Sequence, residues 1–402
     1  MAQCSNMDVR PFKVRVTEEV LDDLRTRLAR TRWPDEVAGA GWDYGTNLAY
    51  MRELARYWDS AFDWRAQEER LNRLAHFCAE VSGFGVHFIH ERGKGDDPIP
   101  LILTHGWPST FFEYSKIIPL LVDPESHGGD AADAFDVVVP SLPGYGFSDP
   151  LPPGEARLVP EMWARLMTDV LAYERFAAHG GDIGGMVTNR LGVEFAQRLV
   201  GIHVTFVAEP YVGPGAPEPS ERERAFLEER ARGQEFGGAY AHLQRTRPRT
   251  PSYALNDSPA GLAAWIVEKW REWSDCGGDV ERRFTKDELL TTVMLYWATG
   301  TIGSSFGVYH DWALGSASQP LAWEGRGEVP PGVDSKPLDR GQRIEVPAAV
   351  ASFSERWPKE WVERAYADLR RFTAMPRGGH FAAMEEPELL AEDIRSFFRP
   401  LR

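Results

Sequence analysis

The sequence predicts an α/β protein with a mostly parallel sheet, a helical insertion and a helical N-terminal region. Downstream of residue 98, short and almost continuously apolar runs alternate with helical patterns. Strands that are buried on both faces have this composition, and the intervening helices provide the crossovers that parallel strands require. The alternation breaks off at about residue 208 and resumes at about residue 341, which indicates an insertion between two parts of one sheet.

The first 98 residues are expected to form a mainly helical region. Apolar residues recur at helical spacing in three segments, at 14–31, 45–60 and 66–82. A shorter segment, at 86–90, alternates between apolar and polar residues, which is typical of a strand. None of these segments carries an obvious catalytic constellation.

Apolar runs that are predicted to be core strands occur at 99–104, 135–139, 199–207 and 345–350. The core accordingly comprises residues 99–207 and 341–402. Residues 208–340 form the predicted cap or lid, in which 259–273 and 286–299 have helical patterns. An insertion at this place can cover the carboxyl ends of the strands, where ligands of open α/β sheets bind.

Charge and composition exclude several classes of function. The net charge of −15 disfavours nucleic acid as a partner, because binding to phosphates depends on lysine and arginine. The chain lacks the run of about 18 apolar residues that a membrane span needs, and its start lacks the apolar stretch of a signal peptide. We therefore expect a soluble cytoplasmic protein, and its oligomeric state stays open, a homo-oligomer included.

The cysteines indicate neither a disulfide framework nor a zinc site. Cys4, Cys78 and Cys276 are widely spaced and odd in number, and no two of them form a CxxC pair. This pattern favours a reducing compartment. We expect no bound metal ion and no organic cofactor.

The most informative residue is Asp182, in the glycine-rich segment 178–185 (AHGGDIGG). A sharp turn from a strand into a helix requires small neighbours and commonly carries a serine nucleophile. A serine that attacks a saturated carbon forms an ether, which such a site could not hydrolyse, whereas a carboxylate forms an ester, which water can cleave. Asp182 therefore indicates ring opening or displacement at sp³ carbon. The alternative is a surface Gly-Asp-Gly turn.

A second turn, HGWP at 105–108, follows the predicted strand at 99–104. Backbone N–H groups in such a turn can face a developing oxyanion. By itself the segment fits a turn stabilised by glycine and proline equally well. The topology brings it to the same sheet edge as Asp182. The two turns together are therefore a more specific indication of a catalytic site than either one alone.

His380 is the candidate general base. It lies in a glycine-bearing loop, 377–381, before the last predicted helix, where an imidazole can lie over the nucleophile. Three other histidines fall in strand-like segments and are expected to be structural: His87, His90 and His203.

The acid that orients the imidazole is not determined by spacing. Glu355 follows a predicted strand, whereas Asp334 precedes it. The end of a strand is the usual place for the acid of a triad, which favours Glu355 and leaves Asp334 open. Three further carboxylates lie in the first turn of the last helix, where they usually serve the helix dipole: Glu385, Glu386 and Glu388.

Ser305 is a competing nucleophile. The segment 303–307 (GSSFG) fits the pattern G-x-S-x-G, and the order Ser305, Glu355, His380 is that of a serine hydrolase. However, this segment follows a helical pattern instead of a short strand, and a pattern this short arises by chance. Its context therefore favours Asp182.

Over nearly its whole length the sequence resembles the microsomal-type epoxide hydrolases, which have the α/β-hydrolase fold. The resemblance implies that residues 1–98 are an N-terminal wrapping region, which surrounds the core and holds the cap. The matching segments are WDYG (42–45), GVHFIH (85–90), HGWP (105–108), GGDIG (180–184), ALNDSP (254–259), YWATGT (296–301) and RGGHFAA (377–383), the last continuing through EEPELL (385–390). Agreement at this many ordered segments does not arise by chance.

The resemblance implies a cofactor-independent enzyme that opens an apolar epoxide, aryl or alkyl, to a vicinal diol. Asp182 would be the nucleophile, His380 the base and Glu355 its acid partner. Two cap tyrosines, Tyr240 and Tyr309, match the positions that donate hydrogen bonds to the epoxide oxygen. Such enzymes serve detoxification or secondary metabolism, and the sequence leaves this choice open.

The resemblance also implies an oxyanion hole made by the backbone N–H groups of Trp107 and Ile183, and a substrate site lined by Trp107, Pro108 and Ile183. The family commonly has tryptophan where this chain has Ile183, so the pocket wall beside Asp182 is expected to be roomier. The microsomal enzymes carry an N-terminal membrane anchor, which is absent here, and membrane residence is not carried over.

Two alternatives to an epoxide hydrolase remain besides the serine hydrolase. A haloalkane dehalogenase shares the aspartate–histidine chemistry but needs halide donors, usually indole N–H groups, one of which follows the nucleophile. Ile183 cannot supply such a donor. A catalytically inactive relative that only binds an apolar ligand is disfavoured by the intact Asp182, His380 and Glu355.

Overall fold

The computed structural model describes residues 9–211, 214–316 and 338–402. In these parts of the chain, nine strands form one sheet in the order β1-β2-β3-β5-β4-β6-β7-β8-β9. The strands are β1 (Arg10–Pro11), β2 (His76–Val81), β3 (Phe84–Glu91), β4 (Ile99–Thr104), β5 (Phe135–Pro140), β6 (Phe176–Gly180), β7 (Leu199–Val204), β8 (Ala348–Ser352) and β9 (Leu369–Ala374).

Strands β4 to β9 pair in parallel, and β1 to β3 are antiparallel to their neighbours. Every residue of β5, β6 and β8 is buried, which explains their unbroken apolar composition. The register pairs Thr104 with Gly180, the last residues of β4 and β6. The turns that follow these two strands therefore lie side by side at one edge of the sheet.

Helices flank the sheet and form the insertion. The helices of the N-terminal region are α1 (Glu18–Ala29), α2 (Leu48–Ser60) and α3 (Trp64–Leu71). Those between the first core strands are α4 (Ile118–Val122), α5 (Val159–Arg165) and α6 (Asp182–Glu194). Those of the insertion are α7 (Glu221–Gly237), α8 (Ala239–Thr246), α9 (Arg249–Leu255), α10 (Pro259–Trp273), α11 (Lys286–Thr299), α12 (Ile302–Ser305) and α13 (Gly307–Ser316). The last three are α14 (Lys359–Ala365), α15 (Ala382–Glu385) and α16 (Pro387–Phe398).

The N-terminal region is not wholly helical. The helix predicted at 66–82 ends at Leu71, and β2 and β3 form a hairpin that turns at Ser82 and Gly83. Both turn residues have positive φ, 55° and 85°, which suits a two-residue hairpin loop. Pairing of β3 with β5 adds this hairpin to the core sheet, so long-range strand pairing prevails over the local helical pattern.

The N-terminal helices hold the cap. Helices α1 and α2 pack on α10, and α2 and α3 pack on α11. Two hydrogen bonds fasten the same contact: Thr46 Oγ1 donates to the carbonyl of Ala264 at 2.9 Å, and the Tyr57 hydroxyl donates to Asp287 at 2.8 Å. The N-terminal region therefore packs on the insertion through α10 and α11.

Two cap helices, α10 and α11, have the bounds that the sequence predicts. Helix α7 was not predicted, because Glu223 is its one buried residue and no apolar stripe marks it. Its start is fixed instead by a capping box between Ser220 and Glu223. We propose that the boundaries between the N-terminal region, the core and the insertion lie at residues 98, 207 and 340.

The described residues correct one expectation about the cysteines. Cys276 is a free, buried thiol, but Cys78 takes part in a disulfide bond, which the sequence pattern did not predict. Among the described residues, no cluster of side chains could hold a metal ion. In the same residues, no helix combines the length and the apolar character that crossing a bilayer requires.

Candidate active site

Asp182 lies at the tip of a sharp turn between β6 and α6. Its φ of +48° is uncommon for a residue with a side chain, and such strain is concentrated at functional sites. The backbone of the turn packs closely against the turn after β4. A Cβ on Gly184 would lie 1.7 Å from the carbonyl oxygen of Thr104, and one on Gly106 would lie 2.2 Å from Asp182 Oδ1. Glycine is therefore required at both positions.

The turn after β4 supplies a donor to the carboxylate of Asp182. The backbone N–H of Trp107 donates to Asp182 Oδ1 at 2.8 Å. Ile183 follows in the first turn of α6, where backbone N–H groups have no partner within the helix. Both donors that the resemblance implies are thus on backbone next to this carboxylate, and the positive end of the α6 dipole faces it.

His380 and Glu355 complete a row of titratable groups with Asp182. His380 Nε2 lies 3.5 Å from Asp182 Oδ2, and His380 Nδ1 lies 3.7 Å from Glu355 Oε1. Glu355 follows β8 and His380 follows β9, so both come from strand ends at the same sheet edge. Asp334, the other candidate acid, lies outside the described residues.

The two carboxylates hold a proton on His380. Burial disfavours the charged imidazole, but hydrogen bonding and charge from Asp182 and Glu355 outweigh it and raise the pKa of His380 to about 10. The surroundings of His380 in the resting site therefore favour the protonated imidazole. Loss of the charge on Asp182 would remove one of the two groups that raise this pKa.

Tyr240 and Tyr309 lie together on the cap side of the site. Their ring centroids are 6.1 Å apart, on α8 and α13 respectively. Both rings contact the indole of Trp107, at 5.1 and 6.1 Å between centroids. Asp182, Tyr240, His380 and Glu355 line one cavity of about 660 Å³. The structure thus brings the predicted cap residues and the predicted core residues to one place.

A second cavity of about 800 Å³ lies on the other side of the turn, where Ile183 and Val187 form part of its wall. Its remaining walls come from the loop around Tyr145 and from α9, α12 and α13. This cavity occupies the flank of the site at which the family commonly has tryptophan.

The loop that carries His380 is fixed by a residue that the sequence interpretation had assigned to the helix dipole. The buried carboxylate of Glu385 accepts hydrogen bonds from the backbone N–H groups of Gly379, Phe381 and Asp275, at 3.0, 3.0 and 2.8 Å. Glu385 therefore ties the two neighbours of His380 to the cap. The sequence gives no sign of this contact, because Glu385 and Asp275 are far apart along the chain.

Glu113 is another carboxylate that sequence reasoning missed. It lies close to His380 and Asp182, and burial raises its pKa to about 7. Glu113 lies a few positions after the HGWP turn, and this nearness along the sequence is the one feature that could have indicated a place in the site.

Ser305 does not have the surroundings of a nucleophile. It is fully buried on the cap helix α12, and its hydroxyl donates to the carbonyl of Ile302 at 2.7 Å. The histidines in strands also have structural partners: His87 contacts His76 and Ser141, and His203 contacts His179 and Asp393. His90 contacts Tyr173.

Comparison with known proteins identifies the family. Residues 9–114 match the model of the epoxide hydrolase N terminus, and residues 101–393 match that of the alpha/beta hydrolase family. A protein of Stigmatella aurantiaca is 40% identical over 98% of this chain and 86% of its own length. Epoxide hydrolase 1 of Sus scrofa is 35% identical over 98% of this chain and 90% of its own. The chain belongs to the epoxide hydrolase family.

Solved structures of epoxide hydrolases have the same fold over the whole chain. The Aspergillus niger epoxide hydrolase superposes with a TM-score of 0.80 at 27% identity, covering 100% of this chain and 98% of its own. The juvenile hormone epoxide hydrolase of the silkworm Bombyx mori gives 0.79 at 26% identity, covering 99% and 95%. The predicted α/β-hydrolase fold and the predicted family are thereby confirmed, and the chain is an enzyme of this family.

Proposed function

We propose that this epoxide hydrolase opens apolar epoxides, aryl or alkyl, to vicinal diols through a covalent ester of Asp182. The observation that carries the proposal is the surroundings of this carboxylate. One of its oxygens accepts the N–H of Trp107 at 2.8 Å, and the other lies 3.5 Å from His380. The aromatic walls of the cavity, which include Trp273 and Trp357, suit an apolar substrate.

In the first step, Tyr240 and Tyr309 donate hydrogen bonds to the epoxide oxygen while Asp182 attacks a ring carbon from the opposite side. The bond between that carbon and the epoxide oxygen breaks, and a hydroxyalkyl ester of Asp182 forms. A phenol, with a pKa near ~10, can give its proton to the emerging alkoxide because the alkoxide is far more basic.

The ester changes the state of His380. Once Asp182 is esterified, it no longer contributes a negative charge, so one of the two causes of the raised pKa of His380 is gone. The imidazolium can then release its proton, which replaces the proton that a tyrosine gave to the alkoxide. His380 becomes a neutral base at the moment when a base is needed.

In the second step, His380, oriented by Glu355, takes a proton from water as the water oxygen attacks the carbonyl carbon of the ester. The N–H groups of Trp107 and Ile183 hold the negative oxygen of the tetrahedral intermediate. Loss of one such donor typically raises the barrier by about 3 kcal/mol. Collapse of the intermediate releases the diol and regenerates Asp182, with no metal or organic cofactor in the scheme.

The test is a single turnover in ¹⁸O-water with styrene oxide, at enzyme in excess over substrate. We expect ¹⁸O in the carboxylate of Asp182 and none in the first diol, because water attacks the ester carbonyl. Asp182→Asn should abolish turnover, and Ser305→Ala, the control for the other candidate nucleophile, should retain it. Label that appears in the diol and not in Asp182 would exclude the covalent scheme.

A further inference from the structure

Lys269 is a buried cation next to the candidate site. It lies on the cap helix α10, and its side chain is 8% exposed. Its ammonium contacts Glu272 Oε2 at 2.6 Å and Glu268 Oε2 at 2.9 Å. It also lies 3.5 Å from the carbonyl of Gly237, at the C-terminal end of α7, where a positive charge is favourable. A buried lysine is costly without such partners. The two glutamates and the carbonyl of Gly237 therefore keep the ammonium of Lys269 at this position.

The ammonium of Lys269 lies over two aromatic rings of the site. It is 5.0 Å from the centroid of the Tyr240 ring and 5.7 Å from that of Trp273. Tyr240 is also stacked on Trp107, with 10° between the ring planes. The ring that carries the proposed proton donor is therefore held by a cation and by the residue whose N–H binds Asp182.

The two glutamates oppose the effect of Lys269 on Tyr240 only in part. Their side chains are 28% and 39% exposed, so water weakens their charges, whereas the ammonium of Lys269 lies 5.0 Å from the ring centroid. The other titratable groups that face this ring or line the cavity with it are Tyr309, Asp182, His380, Glu355, Glu229, Arg222, Arg230 and Arg356. The ammonium, which lies over the ring, favours negative charge that develops on Tyr240.

We propose that Lys269 is a positioning residue for epoxide opening, which holds the Tyr240 ring on Trp107 and stabilises the charge that Tyr240 acquires as it protonates the epoxide oxygen. The inference rests on the proposed function, because it assigns Lys269 to the first of the two chemical steps. Hydrolysis of the ester, which uses His380 and water, does not need Lys269.

The experiment compares the two steps in the full-length enzyme with styrene oxide. In single-turnover rapid-quench measurements, Lys269→Met should slow formation of the Asp182 ester about tenfold, the size expected for loss of a desolvated cation–π contact. Hydrolysis of the ester should change by less than about twofold, an effect below 0.5 kcal/mol by the rate relation. Lys269→Arg, which keeps the charge, should restore most of the rate of ester formation.

A matched control distinguishes this effect from loss of a paired lysine. Lys286 on α11 also contacts two glutamates, Glu281 at 2.6 Å and Glu53 at 3.0 Å, and its side chain is 16% exposed. Lys269 lies over the rings of Tyr240 and Trp273, whereas Lys286 pairs with Glu53 of the N-terminal helix α2. Lys286→Met should therefore leave both chemical rates unchanged.

Coupling to Tyr240 decides the assignment. In a Tyr240→Phe background, where no phenol proton is present, Lys269→Met should have little further effect on ester formation. A full tenfold loss in that background, or an equal loss in both chemical steps, would overturn the inference. Its failure is separable from that of the proposed function, because turnover by Asp182→Asn would refute the latter whatever Lys269 does.

Discussion

The core half and the cap half of the candidate site differ in how their residues are positioned. In the core half, Asp182, His380 and Glu355 follow the ends of β6, β9 and β8, so one sheet edge sets their separations. In the cap half, Tyr240 and Tyr309 lie on separate short helices of the insertion. The core half is built by backbone geometry, and the cap half is built by side-chain packing.

The same division separates the two chemical steps. In the proposed mechanism, ester hydrolysis uses groups of the core half, whereas activation of the epoxide oxygen uses the tyrosines and, by our inference, Lys269. We therefore expect that a substitution of a single side chain can impair one step and spare the other, and each of the following variants tests this separation.

The largest effect is expected from His380→Gln. Without the base, ester hydrolysis should slow by about 10²–10⁴-fold, the usual contribution of a general base. Ester formation should continue, so intact-protein mass spectrometry should show one equivalent of added epoxide. The double variant with Asp182→Asn is the control and should show no adduct. Equal loss of both steps would assign His380 to epoxide opening as well and would break the separation.

A large loss of stability is expected from Gly184→Ala in the core half. The new Cβ would overlap the carbonyl of Thr104, and we expect the free energy of unfolding to fall by about 3 kcal/mol in urea titrations. Gly233→Ala in α7 is the matched control. Nothing lies within 4 Å of its new Cβ, and alanine in a helix should stabilise by about 0.5–1 kcal/mol. Similar values for the two variants would contradict the contrast between the halves.

A smaller effect is expected from Tyr309→Phe in the cap half. Loss of one hydrogen bond to a charged oxygen should slow ester formation by about ten- to a hundredfold. Ester hydrolysis, followed in the same rapid-quench experiment, should not change. Tyr253→Phe removes an exposed phenol on α9 and serves as the control. A slower hydrolysis in Tyr309→Phe would show that this tyrosine also acts in the core half.

An effect of another kind is expected in the pH dependence of stability. The pKa of His380 is about 10 in the folded protein and about 6.5 in an unfolded chain. The charged pairs of His380 therefore stabilise the fold fully below about pH 6.5, and their contribution is lost as the pH rises through about 10. The stability advantage over His380→Gln should shrink between these values in urea titrations. A stability advantage that does not change with pH would show that His380 is not protonated in the resting site.

The sequence predicts the core half better than the cap half for a physical reason. Asp182 and the HGWP turn are read from glycine spacing after buried strands, because the turns themselves demand it. The choice between Glu355 and Asp334 needed the resemblance, since spacing allows either. The tyrosines could not be found from spacing at all, because a tyrosine on a cap helix is usually packing.

Lys269 and Glu385 were beyond sequence reasoning for a related reason. Each acts through a partner far along the chain: Lys269 contacts Tyr240, and Glu385 binds the backbone of Asp275. A helical pattern places Lys269 on α10 but does not indicate which ring its ammonium meets. Strand β2 falls in a segment predicted to be helical, since its pairing with β3 is not visible in the local pattern, whereas β3 falls where a strand was predicted.

The backbone N–H of His380 donates to the carbonyl of Trp273, the last residue of α10, at 2.9 Å. Helix α10 is also the element on which the N-terminal helices rest. A displacement of this end of the cap must either break that hydrogen bond or carry the imidazole away from Asp182. The proposed base His380 therefore keeps its position next to Asp182 only while this end of the cap is in place. If the cap is displaced, we expect water activation and shielding of the substrate from solvent to be lost together.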